Sequence, residues 1–157
     1  MNSPTADGTA MAAARPLIYL AAPLFNPMER AFNLKLREAL LPHADVYLPQ
    51  LDGTLLVEAL AKGIPYSIAA EHVFEADTSC IARCDALLIV LNGRTIDEGA
   101  AFELGVAWSL GKACVGYKDD ARQLLAAGDN PMIARALKSV LENLGEAALW
   151  AQSLAVV

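Results

Sequence analysis

The segment Asp85-Ala-Leu-Leu-Ile-Val-Leu-Asn-Gly-Arg-Thr-Ile-Asp-Glu-Gly-Ala-Ala-Phe-Glu-Leu-Gly105 decides how this chain folds. Ala86 to Leu91 is an unbroken apolar run with β-branched members, closely followed by Gly93. A half-exposed strand would alternate apolar and polar residues. The run therefore predicts a strand covered on both faces, the kind found in parallel sheets under helices. Asn92-Gly93 ends it, and an acidic loop leads into an Ala-rich helix that starts near Asp97 or Glu98. Asp97 and Glu103 then fall beyond the carboxyl end of a central strand, where open α/β sheets hold their ligands. Two carboxylates in such a crevice point to acid–base or nucleophilic chemistry. Asp97 or Glu98 also suits a plain helix cap. Glu103 reads less easily as a solvated residue, because Ala100 and Ala107 share its face at i−3 and i+4 and Phe102, Leu104 and Val106 crowd it in sequence.

Working outward, Leu17 to Ala22 predicts the first strand, stopped by Pro23. Met28, Phe32, Leu36 and Leu40 recur every fourth residue and predict an amphipathic helix over Met28–Leu41, with Pro27 at its start and Pro42 at its end. Strand then helix opens a β-α-β unit. Parallel strands point the same way, so the loop Pro23–Asn26 faces the edge that carries Asp97 and Glu103. Val46–Leu48 is a second short strand, Gln50–Gly53 a loop, Leu55–Ala61 a helix, and Ser67–Cys84 a longer helix holding Asp77. Spacing alone leaves Asp77 open as an ordinary solvated residue. Downstream, Gly111 caps the helix that ends near Leu110, and Ala113–Tyr117 is another strand. Lys118 to Arg122 reads as an exposed loop. The last long helix spans Met132 to about Leu144 behind an Asn130 cap, and Trp150 packs onto the body. The expected architecture is one α/β domain over residues 16–157, a flavodoxin- or Rossmann-like three-layer sandwich with a mainly parallel sheet, behind a loose tail over residues 1–15.

Composition limits what such a domain does. With 55% hydrophobic and 19% charged residues in 157, the chain has the makings of a real core. A net charge of −6 without any Lys or Arg run argues against nucleic acid and anionic membranes as partners. No segment reaches the roughly 18 apolar residues of a membrane span, and the first residues lack a signal-peptide pattern, so a soluble cytoplasmic protein is expected. Cys80, Cys84 and Cys114 follow no metal or redox spacing and read as small core residues; His43 and His72 stand far apart. Neither a metal nor a cofactor is expected, and without a Gly-x-Gly-x-x-Gly after the first strand dinucleotide binding is disfavoured.

Asp97-Glu-Gly-Ala-Ala-Phe-Glu-Leu-Gly105 resembles the signature of the nucleoside 2-deoxyribosyltransferases. The resemblance runs from Ile18 to about Met132 with its pieces in the family's order: Ile18-Tyr-Leu-Ala-Ala-Pro-Leu-Phe25, Tyr47-Leu-Pro-Gln50, Asp77 with Ile81 and Asp85, the signature, and Asp129-Asn130. It implies an enzyme that moves a 2-deoxyribosyl group between nucleobases with retained configuration, through an ester on a Glu. Here it implies Glu103 as the nucleophile and Asp77, at the family's eight-residue offset from Asp85, as the acid for the departing base. Asp97 would hold a sugar hydroxyl and Tyr19 would touch the nucleophile. Ala22, Phe25, Gln50 and Gly99 match substrate-pocket positions, with Phe25 suited to stack on a base. Asn130 and Met132 match positions contributed by a neighbouring subunit, so a homo-oligomer with shared sites is implied. Its partners would be 2′-deoxynucleosides and free nucleobases.

This sequence also departs from the pattern. Ala22 stands where many relatives carry Gly, Asn92 where many carry Asp, and the tail Leu154-Ala-Val-Val157 has no clear match. Two other readings compete. A hydrolase of the N-glycosidic bond of 2′-deoxynucleosides or their 5′-monophosphates would need phosphate donors that Ala21-Ala-Pro-Leu-Phe-Asn-Pro27 hardly offers. A nucleoside-binding protein without turnover would leave Glu103 no reason to be buried.

Overall fold

The computed structural model describes residues 14–53, 55–122, 124, 126 and 128–154. Most of the expected tail, and the end of the chain from residue 155, lie outside them. Five strands, β1 (Leu17–Ala21), β2 (Asp45–Tyr47), β3 (Ala86–Val90), β4 (Ala113–Tyr117) and β5 (Val140–Leu141), form one sheet in the order β2-β1-β3-β4-β5. Every neighbouring pair is parallel. The helices are α1 (Pro27–Leu40), α2 (Pro49–Asp52), α3 (Leu56–Ala61), α4 (Tyr66–Arg83), α5 (Glu98–Ser109), α6 (Pro131–Ala136) and α7 (Leu144–Leu154). This is a single α/β domain with helices on both faces of a parallel sheet.

All five residues of β3 are buried, as its apolar run predicts. The alternation of side chains along each strand divides the core in two. Ile18, Leu20, Val46, Leu88, Val90 and Val115 point to the face that Leu36 and Leu40 of α1 and Ala147 and Ala151 of α7 cover. Tyr19, Ala21, Leu87, Ile89 and Cys114 point to the opposite face, under Cys80 and Ile81 of α4 and Ala100, Leu104 and Ala107 of α5. After β1 the chain thus crosses to one layer, and after β3 to the other. The gap between those two strand ends is the topological switch point of the sheet.

Three expectations are corrected. The long last helix is in fact α6, β5 and the start of α7: Leu137 leaves helical backbone at φ −95° and ψ 138°, and Leu141 enters the core beside β4. Leu137 and Leu141 keep a four-residue spacing, which hides a two-residue strand inside an apparent helix period. Residues 50–52 belong to the helical turn α2, which Pro49 starts, and do not form an open loop. Met28, expected on the core face of α1, is 82% exposed at its first turn. No helix among the described residues is long and apolar enough to cross a membrane.

Candidate active site

Tyr19 and Tyr47 are register partners on β1 and β2, so their rings rise from the same face of the sheet. They stack with centroids 5.4 Å apart and planes inclined by 21°. Each phenol ends on a carboxylate carried by a helix of that layer. The Tyr19 hydroxyl donates to Glu103 Oε1 at 2.7 Å, and the Tyr47 hydroxyl donates to Asp77 Oδ1 at 3.2 Å. Glu103 belongs to α5 and Asp77 to α4, which pack together over the sheet.

Burial pushes the Glu103 carboxyl from its ordinary 4.5 up to about 8; the Tyr19 hydrogen bond works against this, while Asp77 and Asp97 add to it. Asp77 is also raised by burial, against hydrogen bonds from Tyr47 and Tyr19. Two neighbouring carboxyls that both resist ionisation carry one negative charge more readily than two near neutral pH. The shorter of the two phenol bonds, from Tyr19, is the one that eases ionisation of Glu103. Tyr19 and Tyr47 are themselves pushed well above the ordinary phenol range, first by burial and then by the carboxylates, and so keep their protons as donors.

Asp77, Asp97 and Glu103 open into one cavity of about 230 Å³. Its apolar walls are Ala22, Leu24 and Phe25 after β1, Leu55 and Leu56 at the start of α3, and Val73 of α4. Every charged side chain lining it is a carboxylate. A wider groove of about 920 Å³ lies across Phe25 and Asp97, but Asp77 and Glu103 line only the smaller cavity.

Asp97 serves both as cap and as cavity wall. Its Oδ2 accepts from Ala100 N at 2.8 Å, while Oδ1 accepts no hydrogen bond among the described residues and is left for a ligand. Gly99 makes room for this cap, since a Cβ there would sit 3.1 Å from Asp97 Oδ2. Phe25, 74% exposed, forms part of the rim.

The other expected site residues lie elsewhere. Gln50 lines none of this cavity, because both ends of its amide are engaged: Nε2 donates to Arg30 O at 3.1 Å and Oε1 accepts from Asn33 Nδ2 at 2.9 Å. Asn33, buried in α1, also donates to Pro23 O at 2.8 Å, so the pair braces the loop that carries Leu24 and Phe25. Asn130 caps α6 by accepting from Met132 N at 2.9 Å. Met132 is 79% exposed and lines a separate apolar groove between α5 and α6. Neither residue meets Glu103 within one chain.

Lys118 to Arg122 is more than an exposed loop. Lys118 pairs with Asp129 at 2.6 Å, Asn92 donates to Asp119 Oδ1 at 2.7 Å, and Asp120 accepts from Gly93 N at 3.0 Å. Asp120 also pairs with Arg122. The segment therefore ties the loop after β3 to the loop after β4.

Sequence reasoning missed Tyr47. Its signal is the pairing of Tyr19, midway along β1, with Tyr47 at the end of β2, which becomes legible only once their register is known.

Among solved structures, a conserved protein from Enterococcus faecalis V583 superposes with a TM-score of 0.72 at 25% identity, covering 89% of this chain and 99% of that one. A 2-deoxyribosyltransferase from Bacillus psychrosaccharolyticus gives 0.66 at 23% identity, with 84% and 90% covered. A 2-desoxiribosyltransferase from Leishmania mexicana gives 0.59 at 23% identity, with 88% and 97% covered. No curated protein compared with the chain matches it. The sequence model of the nucleoside 2-deoxyribosyltransferases matches residues 18–147, a span that contains all of the sheet but Leu17, the two phenols and the three cavity carboxylates, and the chain belongs to that family.

Proposed function

We propose that this protein transfers a 2-deoxyribosyl group from a 2′-deoxynucleoside to another nucleobase by two displacements at the anomeric carbon, with retention overall. The observation that carries the reading is the Tyr19 hydroxyl on Oε1 of Glu103, a carboxylate that lines one cavity together with Asp77. Glu103 attacks C1′ through Oε2, which receives no hydrogen bond among the described residues, while the C1′–N bond breaks and its electrons leave with the base. Asp77 gives that base its proton. The sugar is then held as an ester. A second base attacks C1′, Glu103 leaves as carboxylate, and the incoming base returns a proton to Asp77. Asp97 Oδ1 accepts from a sugar hydroxyl and fixes the ring.

A 5′-monophosphate is a poor fit, because the phosphate would enter a cavity whose charged side chains are Asp77, Asp97 and Glu103. We further assign the protein to a homo-oligomer in which Asn130 and Met132 complete the site of a neighbouring copy. That reading accounts for their distance from Glu103 within one chain. The free cysteines and acidic chain fit a cytoplasmic enzyme.

The test is to incubate the protein with 2′-deoxyadenosine and cytosine and separate the products. 2′-Deoxycytidine is expected. Free deoxyribose alone would indicate hydrolysis, and an unchanged mixture would remove the enzymatic reading. Glu103→Ala should lower the rate by roughly three orders of magnitude or more, since a double displacement has no substitute nucleophile. Mass spectrometry during slow turnover should find the sugar on the peptide containing Glu103.

A further inference from the structure

We propose that Tyr47 is a positioning residue that decides which oxygen of Asp77 carries the proton delivered to the departing base; this rests on the assignment of Asp77 as the acid. A phenol has one proton to give, and Tyr47 gives it to Asp77 Oδ1. When Asp77 is protonated, its own O–H therefore belongs on Oδ2, the oxygen that Tyr47 leaves free. Tyr19 gives its hydroxyl proton to Glu103 Oε1 at 2.7 Å, and its effect on Asp77 is smaller than that of Tyr47.

The placement of Tyr47 is built into the fold. Its ring is stacked on Tyr19 by the register of β1 and β2. Its hydroxyl sits against the turn after α2, where a Cβ on Gly53 would lie 3.2 Å from Tyr47 Oη and 2.8 Å from Pro49 O. The hydroxyl thus occupies space that any larger residue at position 53 would contest. The titratable groups around Asp77 are Tyr47 from β2, Tyr19 from β1, Glu103 from α5 and Cys80 on its own helix; Asp97 lines the same cavity, and Asp52 acts on both Tyr47 and Cys80. None of them is a cation.

A phenol donating to a carboxylate favours the ionised form, so losing it makes Asp77 hold its proton to higher pH. Losing it also frees the acidic proton to sit on either oxygen. Tyr47→Phe is expected to lower kcat/KM about tenfold or more for 2′-deoxyadenosine, whose base leaves poorly. It should lower it less than about threefold for the 2′-deoxynucleoside of 5-fluorouracil, which needs little protonation. The alkaline limb of the pH profile for 2′-deoxyadenosine should move to higher pH. Replacing Tyr47 by 3-fluorotyrosine keeps the shape and strengthens the donor, so the limb should move the other way. It serves also if Tyr47→Phe folds badly.

The Asp77 carboxyl carbon can be followed by NMR in the ligand-free protein, independently of turnover. Its titration should move up in Tyr47→Phe and down with 3-fluorotyrosine. Equal losses on the two nucleosides, or a titration that ignores both replacements, would overturn the proposal. Absence of turnover in the unaltered protein would overturn the acid assignment instead, and the titration would then decide separately whether Tyr47 sets the Asp77 proton.

Discussion

Glu103 binds its proton more tightly in the folded chain than in the unfolded one, up to about 8 against an ordinary 4.5, with burial as the main cause. Between those values the folded state carries more protons than the unfolded state, so stability falls as pH rises through the window. The contribution is whole below 4.5 and lost above 8. Glu103→Gln keeps the shape, still accepts from Tyr19 and cannot ionise. It should raise stability at pH 9 by on the order of 1–4 kcal/mol and leave it nearly unchanged at pH 4.5. Urea unfolding at the two pH values measures this, and an equal effect at both would contradict the burial argument. The sequence shows this residue well, because Ala100 and Ala107 clear its face of the helix. Asp77 is visible only through the family resemblance. Its partner Tyr47 depends on strand register, which a three-residue strand does not announce.

At the scale of an element, the first turn of α1 shapes the cavity wall. Asn26 Oδ1 accepts from Met28 N and Glu29 N, both at 2.9 Å, and Glu29 Oε2 accepts from Phe25 N at 2.9 Å and Asn26 N at 3.1 Å. This capping box fixes the loop on which Leu24 and Phe25 stand. Asn26→Ala should cost about 1 kcal/mol of stability and raise KM more than it lowers kcat, because it loosens the wall and not the carboxylates. Thermal unfolding with steady-state kinetics tests both parts; a fall in kcat at constant KM would speak against the loop's role. Pro27 marks the start of this helix in the sequence, and Leu36 and Leu40 mark its buried face. Met28 continues the same spacing, yet the first turn overhangs the groove beyond the core. β5 is missed for the opposite reason: two residues are too few to show a period, so the helix pattern on either side absorbs them.

Over the whole molecule, large apolar side chains stay uncovered along α4, α5 and α6: Phe74 at 57%, Phe102 at 54%, Trp108 at 60% and Met132 at 79% exposure. Phe74 and Phe102 touch, with ring centroids 5.9 Å apart. Trp108 and Met132 line the apolar groove of about 440 Å³ between α5 and α6. In the proposed oligomer this surface is covered by another copy. Sedimentation should therefore find a species larger than one chain, and Trp108→Glu should shift it toward the single chain with loss of turnover. Mixing Glu103→Ala with Asn130→Ala protomers should yield more activity than either alone, because some mixed sites then carry both intact residues. A fully active single chain would defeat the shared-site reading. The fold class was open to sequence reasoning because β3 is apolar throughout; the assembly was implied only by the resemblance, since an exposed aromatic and a buried one look alike in a sequence.

The adjacency of β1 and β3 also sets the timetable of synthesis. Asp85 Oδ2 accepts from Leu17 N across 68 residues of chain, and Tyr19 reaches Glu103 across 84. While the first half of the protein leaves the ribosome, β1 has β2 as its only neighbour, and its other edge waits for a strand not yet made. Such distant pairing slows folding, because a long loop must close before any contact rewards it. Tyr19 and Glu103 are thus made far apart in time, and the hydrogen bond between them forms only after the middle of the sheet has closed.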